Sequence, residues 1–136
     1  MSQMPVTRFV RHVFLADAAV SGAAAAVMLL GGAWLQALLQ LPAWLMWSGG
    51  VTLAAYAAFV TWMSGRERLP RGLVWATLTI NLVWAIDCAA LAFSGWLSPS
   101  LFGQVFLLAQ AAAVLIFAEL QFVCLRRAPT GAPVMA

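Results

Sequence analysis

Charge is the scarcest commodity in this chain. Seven basic and four acidic side chains make up 8% of 136 residues, against 65% apolar, where an ordinary soluble domain is about 25% charged and 45–50% apolar. A chain of this size could build one core in water, but it could not also hide so much apolar surface. Lipid is the solvent that fits. One histidine and two cysteines exclude the usual structural zinc site. Cys88 and Cys124 are placed about 20 Å apart in depth by the helical rise, which excludes a disulfide and leaves both as small packing residues. GxSxG, HExxH and phosphate-cradling glycine loops are missing, so the chain reads as non-enzymatic. His12, alone beside Arg11, reads as an interfacial side chain and not a haem ligand, and no cofactor is expected.

Four apolar runs remain, at residues 9–30, 43–63, 73–93 and 101–125. At about 1.5 Å per residue each can cross the roughly 30 Å hydrocarbon layer. All six prolines, at 5, 42, 70, 99, 129 and 133, fall outside them, as they must where no water could satisfy a freed carbonyl. Pro42 is expected in the first turn of span two, and Ser98-Pro99 offers an N-cap and first-turn proline for span four. Arg8 and Arg11 before an apolar run also fit a signal peptide, but Asp17 inside the run and its length favour a retained span. The expectation is an all-α membrane protein, one domain over 1–136, with four transmembrane helices packed as two antiparallel hairpins. The connections 31–42 and 94–100 carry no charge, residues 64–72 form a wet central loop, and 128–136 is a frayed tail.

Orientation follows from the arginines. Arg8 and Arg11 precede span one, Arg66, Arg68 and Arg71 separate spans two and three, and Arg126 and Arg127 follow span four. All seven therefore fall on one side, which the positive-inside rule makes cytoplasmic, with both termini. The net charge of +3 then serves topology and anionic lipid heads, and no nucleic-acid partner is expected. Trp34, Trp44, Trp47 and Trp96 cluster at the outer ends and Trp62 and Trp75 at the inner ends, as an interfacial belt requires. Trp84 alone lies deep and reads as a packing residue.

Small residues suggest where helices meet. Ala18, Gly22 and Ala26 recur every fourth position in span one, Gly50, Ala54 and Ala58 in span two, and Ala109 and Ala113 in span four, a spacing that lets backbones approach in lipid. A shift of 62 residues also superposes the halves, pairing Trp34-Leu35 with Trp96-Leu97, Leu39 with Leu101, Leu45 with Leu107 and Leu53 with Leu115. That pattern is a parallel repeat of one hairpin.

Polar side chains inside the spans are few: Asp17, Asn81, Asp87, Gln110, Glu119 and Gln121. A charge there costs at least about 2.5–3.5 kcal/mol, so each acid needs a partner or water. Asp17 and Glu119 are each about 10 Å inside the arginine end, in one inner layer with His12 and Arg11. Asp87 and Gln110, sixteen residues from Arg71 and Arg126, share an outer layer. Asp17 and Glu119 are read either as a proton-binding pair or as acids neutralised by Arg11 and His12, the second being favoured. Asp87 is read equally as a functional acid or as buried glue held by Gln110 or Asn81.

The segments FLADAAVSGAAAAVMLL, LVWAIDCAALAFSGWLSPS and FAELQFVCLRR together resemble the uncharacterised small four-span integral membrane proteins of bacteria, over nearly the whole chain. That resemblance implies the bacterial inner membrane and assigns no site. The small multidrug resistance transporters are also similar in size and span number, and their essential first-span acid would correspond to Asp17. The complete arginine bias departs from their dual-topology members, and their glycine-rich third-span pattern is missing around residues 81–90. The expected function is that of an accessory, assembly or stabilising subunit contacting membrane lipids, another membrane protein or its own copies. The alternative is an oligomeric proton-coupled small-molecule transporter.

Overall fold

A computed structural model describes residues 2–129. Of the expected frayed tail, everything from 130 on lies outside the described residues. The chain runs β1 (Gln3–Pro5), α1 (Arg8–Leu30), α2 (Gly32–Leu39), α3 (Ala43–Ser64), β2 (Arg68–Pro70), α4 (Arg71–Phe93) and α5 (Leu101–Arg127). Helices α1, α3, α4 and α5 are long and apolar enough to cross a membrane. The start signals are local: the Thr7 hydroxyl accepts from the Val10 amide at 3.3 Å, and the Ser100 hydroxyl from the Gly103 amide at 3.1 Å, each satisfying an orphan donor of the first turn. Ser100, not Ser98, is thus the cap of α5, and Pro42 stands at the N-cap of α3, one position earlier than expected.

All four arginine-bearing ends are tied together. β1 pairs antiparallel with β2, Met4 opposite Leu69, and the Val6 amide donates to the Glu67 carbonyl at 2.8 Å. Residues 64–72 are therefore not simply a wet loop. Leu69 is 1% exposed and Met4 fully buried, and together they plug the end of the bundle. Arg11 Nε donates to the Ser64 carbonyl at 2.8 Å and Arg71 Nη2 to the Leu125 carbonyl at 2.9 Å. Each guanidinium thereby caps the C-terminal carbonyls of a neighbouring helix.

The opposite end is closed by α2, where a plain connection was expected. Gly32 at φ 59° and Gln40 at φ 53° turn the chain at its two ends, and between them all of AWLQALL but Trp34 are good helix formers. Ser100 holds α2 twice, its hydroxyl donating to the Leu38 carbonyl at 2.6 Å and its amide to the Leu39 carbonyl at 3.1 Å. The second half has no helix in the matching connection, residues 94–100. α1 packs chiefly along α3, α4 along α5, and α1 also meets α5, whereas α3 and α4 scarcely touch.

The small-residue stripes are only half right. Ala18 and Gly50 are buried and Gly22 half-buried, but Ala26, Ala54, Ala58 and Ala109 lie exposed on the outside. The buried face of α3 runs instead through Met46, Gly50, Leu53, Ala57 and Val60, because a strict fourth-residue spacing drifts round a helix of 3.6 residues per turn. A Cβ on Gly22 would meet the Ala57 Cβ at 3.8 Å.

A repeat is present, with a different offset. The buried positions of α1 recur in α4 64 residues later: Val10/Val74, Val13/Thr77, Phe14/Leu78, Asp17/Asn81, Ser21/Ala85 and Met28/Ala92. Those of α3 recur in α5 65 residues later: Met46/Ala111, Gly49/Val114, Leu53/Ala118, Tyr56/Gln121 and Val60/Leu125. The ladder obeys the same symmetry, since Gln3 pairs with Pro70 and Pro5 with Arg68 about a central Met4–Leu69 pair. The 62-residue shift matched letters and not environments: Trp34-Leu35 and Trp96-Leu97 lie in connections unlike in structure, and Leu53 is buried where Leu115 is exposed; burial is what repeats at the new offsets.

Candidate functional site

The most highly organised polar site lies at the centre of the four long helices. Asp17 is fully buried, and all four of its hydrogen-bond partners are neutral. Its Oδ2 accepts from Tyr56 Oη at 2.7 Å, Gln121 Nε2 at 2.7 Å and Asn81 Nδ2 at 3.3 Å. Its Oδ1 accepts from Ser21 Oγ, one turn along the same helix, at 3.2 Å. Asn81 Nδ2 also donates to Gln121 Oε1 at 3.2 Å. Every long helix contributes: α1 Asp17 and Ser21, α3 Tyr56, α4 Asn81 and α5 Gln121.

The repeat explains the arrangement. Asp17 and Asn81 occupy equivalent positions, as do Tyr56 and Gln121. The Tyr56–Asp17 bond in the first half therefore corresponds to the Asn81–Gln121 bond in the second; the bonds from Asn81 and Gln121 to Asp17 cross between halves, and the Ser21 bond stays within α1. Chemically, a carboxylate surrounded by donors is an acceptor in use on every side. Such a group ties helices together where apolar burial gives little drive.

This corrects the expected inner layer. Glu119 does not join Asp17: it is exposed on the outside of α5. It is two positions from Gln121, a rotation of about 200°, so the two cannot face the same neighbour. Nor does Arg11 neutralise Asp17; it is exposed and its Nε is engaged by the Ser64 carbonyl. His12 is likewise exposed. The outer layer divides too. Gln110 Oε1 accepts from Trp84 Nε1 at 3.1 Å, and Asn81 belongs to the Asp17 network, so neither holds Asp87. Asp87 is exposed on α4 and lines a cavity between α3 and α4. Gln121 entered the reading only as one polar residue among several. Tyr56 was missed, although the chain's single tyrosine, in mid-span and away from both aromatic belts, was a usable signal.

The arginines sort by environment. Arg71 is half-buried, and its Nη1 is buried with no partner among the described residues. Arg66 lies 4.8 Å from the Trp62 ring, Arg126 5.9 Å from Phe122 and Arg127 5.4 Å from Phe9, shielding apolar faces at the arginine end. Arg8 and Arg68 are exposed. Cys88 and Cys124 are buried free thiols. Among the described residues no three His, Cys, Asp or Glu side chains gather where they could hold a metal ion. No protein family, no curated protein and no solved structure matches this chain.

Proposed function

We propose that this chain is a non-enzymatic accessory or stabilising subunit of the bacterial inner membrane, built as two antiparallel hairpins with both termini and the arginine end in the cytoplasm. It belongs, on this reading, with the small four-span membrane proteins its sequence resembles. It works by contact with lipid and with a larger membrane protein. The observation that carries the reading is Glu119, an acid exposed on the outward face of α5 in the same row as Phe122 and Arg126. An acid on a lipid-facing surface about 10 Å inside the interface calls for a donor or cation from outside the chain. The bundle's own polar core, closed on four neutral donors, behaves as a rigid latch and leaves that outer face free to dock.

Native mass spectrometry of the mildly extracted protein tests this. A stoichiometric partner is expected, and Glu119→Gln should lower its yield without changing the Tm of the subunit; a monomer with no partner ends the proposal. Topology is checked separately by single cysteines at positions 36 and 67 in a background without Cys88 and Cys124, which should label from opposite faces of the membrane. The second reading, an oligomeric proton-coupled carrier, draws on Asp87 beside its cavity. For a carrier, Asp87→Asn should abolish transport in a protein that still folds.

A further inference from the structure

The side of the bundle between α3 and α4 holds a cavity of about 440 Å³. It is open for a structural reason. α2 fills the outer end against α5 in the first half, while the matching connection of the second half has no helix and α3 and α4 scarcely touch. Trp44, Trp84 and Trp96 line the space, and Asp87 is the one ionisable group at it besides the buried Cys88 thiol. Trp84 is held in place by its bond to Gln110, which also lines the cavity.

Among the described residues Asp87 has no cation within reach. All seven arginines belong to the other end, and Arg71, on the same helix, is sixteen residues or about 24 Å away. The two hydroxyls of the opposite wall are already engaged along their own helix: Ser48 Oγ donates to the Leu45 carbonyl at 3.4 Å and Thr52 Oγ1 to the Ser48 carbonyl at 2.7 Å. A carboxylate facing an apolar, indole-lined cleft calls for a positive ligand whose body is itself apolar, since indoles attract cations and a small hydrated ion would lose its water to apolar walls. The volume falls in the range of about 300–1,000 Å³ typical of small-molecule sites.

We infer that this groove binds one small lipophilic cation, an organic ammonium or phosphonium, with its charge beside Asp87 and its apolar body among the three indoles. The site is independent of Glu119 and holds whether the chain serves as a subunit or as a carrier. The full-length protein in phosphatidylglycerol nanodiscs, titrated with tetraphenylphosphonium and followed by tryptophan fluorescence against empty discs, tests it. Saturable binding of one cation per chain is expected. Asp87→Asn should weaken it about tenfold or more, as loss of a charged partner does. Ser48→Leu, which fills the groove from the opposite wall, should abolish binding, and both variants should keep the wild-type Tm. Three results overturn the inference: equal affinity in Asp87→Asn, equal affinity for the anion tetraphenylborate, or native mass spectra showing a phospholipid held by the wild type and lost in Asp87→Asn.

Discussion

At the level of single residues, two acids that look alike in the sequence have opposite fates. Asp17 and Glu119 sit at the same depth, and depth is legible because it needs only the distance to the nearest arginine. Direction round the helix is not, until the packing partner of each face is known. Asp17 faces the centre and Glu119 faces out, so their substitutions should part company. Asp17→Asn keeps the shape but converts one acceptor into a donor, opposite Tyr56, Asn81, Gln121 and Ser21, which all donate. Leaving buried donors unmatched should cost about 1–3 kcal/mol. Glu119→Gln should stay within about 0.5 kcal/mol of wild type, as exposed positions do. Thermal unfolding of the two variants in one detergent checks the contrast, and equal losses would return Glu119 to the interior.

At the level of elements, the four long helices were readable because the bilayer enforces them: a span must be long, apolar and free of proline, and arginine and proline mark where it stops. What escaped was short or non-local. β1 and β2 are three residues each and about 65 apart in sequence, so nothing local signals their pairing. α2 begins at the second of two glycines, and Gly31-Gly32 reads as a loop until the Ala, Leu and Gln residues after it are weighed. The junction of α2 with α5 turns on Gly103. A Cβ there would run into the Leu39 carbonyl oxygen, a backbone atom that cannot swing aside. Gly103→Ala should therefore lower stability by about 1–3 kcal/mol through overpacking. Gly72→Ala, in the first turn of α4 with nothing within 4 Å of the added carbon, should be neutral or slightly stabilising. If calorimetry finds the two alike, α2 does not lie against α5 as described.

At the level of the whole molecule, the two halves repeat by burial at offsets of 64 and 65 residues, with an antiparallel ladder symmetric about Met4 and Leu69. This was hidden in the letters because equivalent positions hold unlike residues: the carboxylate of Asp17 faces the amide of Asn81, and the phenol of Tyr56 matches the amide of Gln121. Symmetry of position with asymmetry of chemistry makes a prediction that neither residue makes alone. If the sites are equivalent, a carboxylate moved from 17 to 81 still finds donors around it, from Gln121 on its own half and from the new amide at 17 across the centre. Tyr56 and Ser21 can then donate to the amide oxygen at 17. Asp17→Asn/Asn81→Asp should therefore recover at least about half of the stability lost in Asp17→Asn, a favourable coupling of the size seen between residues of one buried network. The comparison needs all four proteins of the cycle, unfolded in the same detergent. Additive losses in the double variant would mean that the centre recognises Asp17 by its individual neighbours, and that the repeat of burial does not extend to the chemistry of the core.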